Sequence, residues 1–233
     1  NSGTLTKSAG ASAKDFNLSF GTFSNTGTVN VNTGTIVLYG SGTDTGTYNI
    51  AGGSQVQVGN RTFNAGAAVT GAGQLTAWTG TTNVNAAVAM SNLRIAGGTV
   101  QGSGTVTVSG AVDLQSGALG GALNLTANGA LNWSGGSMAG SGTTTVGSAG
   151  VLTISGPGTK FLEGPSRTLT NNSAAGSTWS GTGAITAAVD GNGTFNNAGL
   201  LDMQSDAPFA YGYFNNSGTL TKSAGASAKD FNL

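Results

Sequence analysis

Histidine and cysteine are absent from the 233 residues, and proline occurs only three times. Without an imidazole there is no Ser-His-Asp arrangement, no histidine base and no histidine ligand for a metal. Without cysteine there are neither disulfides nor thiolate chemistry, an absence that leaves the compartment open. Charge is scarce too. Eight basic and eight acidic residues make up 7% of the chain, where an average globular chain has roughly 25%. Salt bridges therefore cannot dominate the fold. The basic residues do not cluster, so the positive stripe that would neutralise phosphates is missing and nucleic acid is not an expected partner. No run of about 18 apolar residues and no basic-then-apolar leader occurs, so neither a membrane span nor a signal peptide is expected within this segment.

What the chain does have is glycine, 42 residues of it, together with 37% apolar content drawn largely from small and β-branched side chains. Such a composition suits short strands joined by tight turns around a thin, extended core. Apolar residues alternate with polar ones in short runs, as in Val29/Val31, Ile36/Leu38, Val106/Val108, Leu131/Trp133 and Leu152/Ile154. Each pair would face inward from one strand. Arg94, Asp113 and Asp202 occupy the intervening, outward positions.

Residues 1–18 reappear letter for letter as residues 216–233. A fixed period is the mark of stacked repeat architectures. Residues 1–215 thus read as one full module and 216–233 as the start of the next. A shorter motif recurs inside it: Phe195-Asn196-Asn197-Ala198-Gly199, Phe214-Asn215-Asn216-Ser217-Gly218 and Phe23-Ser24-Asn25-Thr26-Gly27, with a weaker version at Thr170-Asn171-Asn172-Ser173. Once Phe23 is carried forward by one period, these versions follow one another at intervals of roughly 19–25 residues, the length of one turn of a β-helix. The expected fold is all-β: a right-handed parallel β-helix, or β-solenoid, of about ten coils per 215-residue repeat, rising about 50 Å at ~4.8 Å per coil. Phe23, Phe195 and Phe214 are expected to form an internal aromatic column, with Phe23 contributed by the next copy. Asn25, Asn172, Asn197 and Asn216 are expected to form an amide ladder, since the amide both donates and accepts along a stack. No amphipathic helix and no capping pattern is evident, and the simplest expectation is continuation into an identical module.

The segments Gly27-Thr28-Val29-Asn30-Val31-Asn32, Gly104-Thr105-Val106-Thr107-Val108, Asn132-Trp133-Ser134-Gly135-Gly136 and Thr178-Trp179-Ser180-Gly181 carry a resemblance to bacterial β-strand-repeat surface proteins of the filamentous haemagglutinin-like and autotransporter-passenger type. The resemblance covers essentially the whole chain but is one of style, and it transfers no binding residues. It implies a very large secreted or surface-anchored protein acting in adhesion, matrix or filament formation. The functional expectation is a structural module of an extracellular fibre whose partner is itself. The alternative is an adhesin stalk or carbohydrate-binding module.

An enzyme of the polysaccharide-degrading β-helix kind would need two carboxylates across the scissile bond. Asp202 with Asp206, then Asp190 or Glu163, are the nearest candidates, and solvated surface is the expected reading of each. Asp190-Gly191-Asn192-Gly193 has the look of the start of a calcium loop but lacks the distal glutamate, so a plain turn is expected, with no metal and no cofactor. Tyr211 and Tyr213, in the densest aromatic stretch, are candidate surface contacts for a sugar or a neighbouring fibre. Thr-x-Thr units begin at Thr4, Thr105, Thr143 and Thr168. Their separations are too uneven to repeat on every coil, and a continuous hydroxyl array is not expected from them.

Overall fold

The computed structural model describes residues 1–12, 16–187 and 191–225. Within them the chain winds as a parallel β-solenoid of about eleven turns, with no helix. The strands stack on three faces. The first face carries Thr4–Lys7, Thr28–Val31, Thr47–Ile50, Ala68–Thr70, Ala87–Met90, Thr105–Val108, Asn124–Ala127, Thr143–Val146, Thr168–Asn171, Thr194–Asn197 and Tyr213–Asn216. The second begins at Phe16–Asn17 and Thr35–Leu38 and ends at Leu200–Met203 and Thr219–Lys222. The third runs from Gly42–Asp44 and Arg61–Phe63 to Ile185–Thr186 and Phe209–Ala210. Two long strands, Leu93–Gly102 and Ala111–Leu119, turn the corner between the second and third faces without a break, and a register shift at Ile95–Thr99 makes the bend. A bulge of this kind is the ordinary way for a strand to change direction.

Every pairing is parallel. Thr28 lies on Thr47, Thr105 on Asn124, Thr143 on Thr168 and Thr168 on Thr194. Turns differ in length: the step along the chain is 19 from Asn197 to Asn216 but 26 from Asn171 to Asn197. This variation is absorbed in the loops, because the alternation of inward and outward side chains fixes the strands themselves. The inward rows are apolar: Val29 and Val31, Val106 and Val108, Leu131 and Trp133, Leu152 and Ile154 are all buried. Val106 lies over Leu125, and Trp133 over Ile154 and then Trp179. The core is therefore a narrow column in which each coil buries its apolar pair against the coils on either side, so stability is a nearest-neighbour property.

Corners follow one rule. At Asn25-Thr26-Gly27, Asp44-Thr45-Gly46, Asn197-Ala198-Gly199 and Asn216-Ser217-Gly218, the two amides after the corner residue donate to the carbonyl of the previous coil's corner residue. Thr45 and Gly46 donate to Asn25 at 2.9 Å each, and Ser217 and Gly218 donate to Asn197 at 2.9 and 3.0 Å. Glycine is required there because a Cβ on Gly46 would collide with the carbonyl of Gly27, and one on Gly218 with that of Gly199.

The two copies of the repeated segment stand on different faces. Thr4–Lys7 lies on the first face, against Thr28–Val31, whereas Thr219–Lys222 lies on the second, against Leu200–Met203. Residues 226–233 of the second copy lie outside the described residues.

Candidate functional site

Three features concentrate chemistry: a column of amides at one corner, a buried ion-pair cluster, and an uncharged outer face. In the column the Asn171 Nδ2 donates to Asn197 Oδ1 at 2.8 Å, and Asn197 Nδ2 donates to Asn216 Oδ1 at 2.7 Å. Each amide also donates to a carbonyl beyond the next corner, Asn171 to Leu200 at 3.2 Å and Asn197 to Thr219 at 3.1 Å. Asn171 and Asn197 are fully buried, so leaving either amide unpaired would incur the desolvation cost of a buried polar group. The rung next to Asn197 is Asn171 and not Asn172. Leu169 points inward beside Phe195, and alternation sends Asn171 inward with it while Asn172 begins the turn.

The same ladder exists at the other end of the rod. Asn1 Nδ2 donates to Asn25 Oδ1 at 2.8 Å and to the Thr28 carbonyl at 3.1 Å, and Asn25 Nδ2 donates to the Thr47 carbonyl at 3.2 Å. Asn25 is thus a rung of a ladder begun by Asn1, separate within this chain from that of Asn171, Asn197 and Asn216.

The aromatic groups divide likewise. Phe195, Phe209 and Phe214 form a cluster of tilted rings with centroids 5.1 to 6.4 Å apart, edge-to-face contacts worth about 0.5–1.5 kcal/mol each. Phe23 is not in this cluster. It lies on the third face, flanked by the bridges Thr22–Ser41 and Asn25–Asp44, with the Arg61 guanidinium 5.7 Å from its ring centre.

That guanidinium belongs to the second feature. Asp44 and Arg61 are fully buried and paired: Arg61 Nε donates to Asp44 Oδ2 at 3.0 Å and Nη2 to Oδ1, while Tyr48 Oη donates to Oδ1 at 2.7 Å. Asp44 Oδ1 also accepts from the backbone N–H of Asn25 at 3.2 Å, which ties the cluster to the main chain at that corner. Arg61 Nη1 closes the cluster on the Phe23 carbonyl. Burial and the neighbouring carboxylate push the Tyr48 phenol well above its ordinary pKa. Arg61 shares inward parity with Phe63, a pattern visible in Arg61-Thr62-Phe63 that marks the arginine as buried. Arg167 is also buried, with Nη1 on the Leu123 carbonyl at 3.0 Å and Nη2 on Thr144 Oγ1 at 2.6 Å; desolvation lowers its pKa to about 10. Lys160 is likewise buried, bonds to the Gly156 and Gly158 carbonyls, and has its pKa lowered by desolvation. These four buried charges are not foreseen from composition alone.

The carboxylate candidates are engaged elsewhere. Asp202 accepts from Gln204 and Ser223 at 2.8 Å each, which lowers its pKa. Asp206 is exposed and pairs with Lys222 at 2.7 Å. Asp190 lies outside the described residues. No cluster of three or more acidic side chains that could hold a metal occurs among the described residues. Concavities such as the one of about 430 Å³ beside Gln55, Gln74, Asn92 and Arg94 are open to solvent. Tyr211 and Tyr213 are exposed, at 75% and 58%. Tyr211 adopts φ +63°, left-handed backbone that costs a non-glycine residue about 1–2 kcal/mol.

The third feature corrects the reading of the threonines. The interval from Thr105 to Thr143 is two turns, with Asn124 and Thr126 between them. Outward on the first face, Thr107, Thr126, Thr145 and Thr170 lie one above the next, beside Thr105, Asn124, Thr143, Thr168 and Thr194. All eleven strands of this face present threonine, asparagine, alanine or tyrosine outward and no charged side chain. From Thr107 to Thr170 one column is threonine on four consecutive coils, kept in register although the turns differ in length, which sequence separation alone conceals.

Compared with known proteins, the chain matches no family model, no curated protein and no solved structure. No helix among the described residues is long and apolar enough to cross a membrane.

Proposed function

We propose that this chain is one period of a long, tandemly repeated extracellular fibre, a non-enzymatic structural module that joins to its own copies by continued coil stacking. The observation that carries this reading is the identity of residues 1–18 and 216–233 together with the matching bonds around the two copies. Asn1 donates to Asn25 and Thr28 of the next coil as Asn197 donates to Asn216, the second copy of Asn1, and to Thr219. Lys7 Nζ donates to the Ala9 carbonyl as Lys222 Nζ donates to Ala224. A formally neutral rod feels little mutual repulsion, which favours lateral association. The filamentous haemagglutinin-like resemblance supports a bacterial surface location and belongs to the same proposal. Tandem proteins of one, two and four periods, seen by electron microscopy, test it. Rods lengthening by about 50 Å per period are expected; particles of unchanged length refute it.

A second reading, recognition of a carbohydrate surface, is favoured by the flat uncharged face and the two exposed tyrosines. Its test is co-sedimentation with crystalline cellulose or chitin. Specific retention that is lost in Thr126→Lys/Thr145→Lys and in Tyr211→Asn/Tyr213→Asn supports it, and absence of retention sinks it.

A further inference from the structure

We infer that each 215-residue period makes ten and a third turns, so that successive copies present every surface feature on successive faces of the rod. This rests on the tandem-fibre reading above and specifies its geometry. From Thr4–Lys7 the chain returns to the first face ten times, the last at Tyr213–Asn216, and the equivalent segment Thr219–Lys222 then falls one face further on.

The seam can be assembled because the shared coil is seen from both sides. Below it, Asn216 receives the Asn197 amide, and Thr219–Lys222 lies on Leu200–Met203. Above it, Asn1 donates to Asn25, and Thr4–Lys7 lies under Thr28–Val31. The backbone agrees at both levels: Thr28 donates to the Gly3 carbonyl at 2.9 Å, as Thr219 does to Gly199. Superposing the two views gives one ladder, Asn171 to Asn197 to Asn216 and on to the following copy's Asn25, with Phe23 of that copy arriving next to Phe214. The following copy's Thr28–Val31, a first-face strand, then stacks on the second face of the preceding copy. The open edge of the last coil is thereby filled by the chain's own continuation, turned by one face.

A fibre built this way has no privileged side. The threonine array and the pair Tyr211 and Tyr213 each recur one face on, about 50 Å further along, and return to the same face after three copies, about 150 Å, beyond any slow twist of the coils. Contacts between neighbouring rods through such a patch therefore radiate in three directions and build a three-dimensional bundle rather than a flat ribbon.

The test is a two-period protein, residues 1–233 followed by residues 19–233, with paired cysteine substitutions in a chain that otherwise has none. The third-of-a-turn step puts Asn215 opposite Ser24 of the following copy, one residue before the Asn216–Asn25 rung. A whole number of turns would instead put Asn215 opposite the following copy's Asn30. Neighbouring strands are ~4.8 Å apart, within disulfide range for outward pairs. Under mild oxidation, Asn215→Cys with the following copy's Ser24→Cys is expected to cross-link, and Asn215→Cys with the following copy's Asn30→Cys is not. Rod length by electron microscopy is measured on the same proteins. Cross-linking to position 30, or to neither position, in rods that have lengthened by about 50 Å overturns the third-of-a-turn step alone. Absence of lengthening overturns the tandem-fibre reading itself.

Discussion

Replacing Asp44 by leucine isolates the energetic role of the buried cluster. Asp44 and Arg61 are both fully buried, and the carboxylate accepts from Arg61, from Tyr48 and from the backbone N–H of Asn25. Removing one member of a buried ion pair leaves an uncompensated charge and costs about 3–5 kcal/mol. Tyr48 Oη loses its acceptor at the same time, a further ~1 kcal/mol. Arg61 keeps its bonds to the Phe23 and Ser41 carbonyls, which holds the total near the lower end, about 4 kcal/mol. Because stability in a solenoid is passed between neighbouring coils, the loss should be local. Hydrogen exchange followed by mass spectrometry is the suitable assay. Amides of Thr28–Val31, Gly42–Asp44 and Thr47–Ile50 should exchange about a thousandfold faster, while those of Thr168–Asn171 and Thr194–Asn197 should be unchanged. Combining Asp44→Leu with Arg61→Met removes the orphaned charge and should restore most of the protection. Acceleration of less than about tenfold in the single variant, or no recovery in the double, would refute the assignment of this cluster as the strut of the first three coils.

Other outcomes follow from the same geometry. Asn197→Ala breaks two rungs at once and leaves the Asn171 amide without its side-chain acceptor; a loss of about 1–3 kcal/mol in urea unfolding is expected, while Asn172→Ala, one step off the ladder, should change stability by less than about 0.5 kcal/mol. Gly46→Ala forces a Cβ into the Gly27 carbonyl, whereas a Cβ on Gly3 meets nothing within 4 Å, so thermal unfolding should fall clearly in the first and barely in the second. Phe214→Asp puts a charge beside Phe195 and Phe209 and should abolish rod lengthening in tandem proteins; intact rods of full length would refute the coil register. Arg167 gives a pH signature. Its folded-state pKa of about 10 lies below the ordinary guanidinium value, so the unfolded chain holds the proton more tightly. The penalty, about 3 kcal/mol, is fully present below the folded-state pKa and fades as pH rises from there towards the ordinary guanidinium value. Wild type should therefore gain stability relative to Arg167→Met across that window, measured by urea titration at each pH; a fixed difference would show that burial of this guanidinium costs nothing.

Alternation at Val29/Val31 or Val106/Val108 is enough to specify strands, inward rows and an all-β solenoid, because a period of two leaves each side chain only one of two sides. The identity of residues 1–18 and 216–233 likewise supplies the period, and with it the candidate rungs Asn25, Asn197 and Asn216. Sequence by itself does not supply the turn lengths. Nothing local distinguishes the step of 19 between Asn197 and Asn216 from the step of 26 between Asn171 and Asn197, since loops absorb extra residues without altering the strands they join. For that reason the motif alone points to Asn172 rather than Asn171, hides the threonine columns, and leaves Asp44, Lys160 and Arg167 unmarked as interior. Only the stacked coils decide which residue lies above which, and parallel registry across turns of unequal length is a long-range relation, fixed by the shared burial of inward rows rather than by any neighbour in the chain.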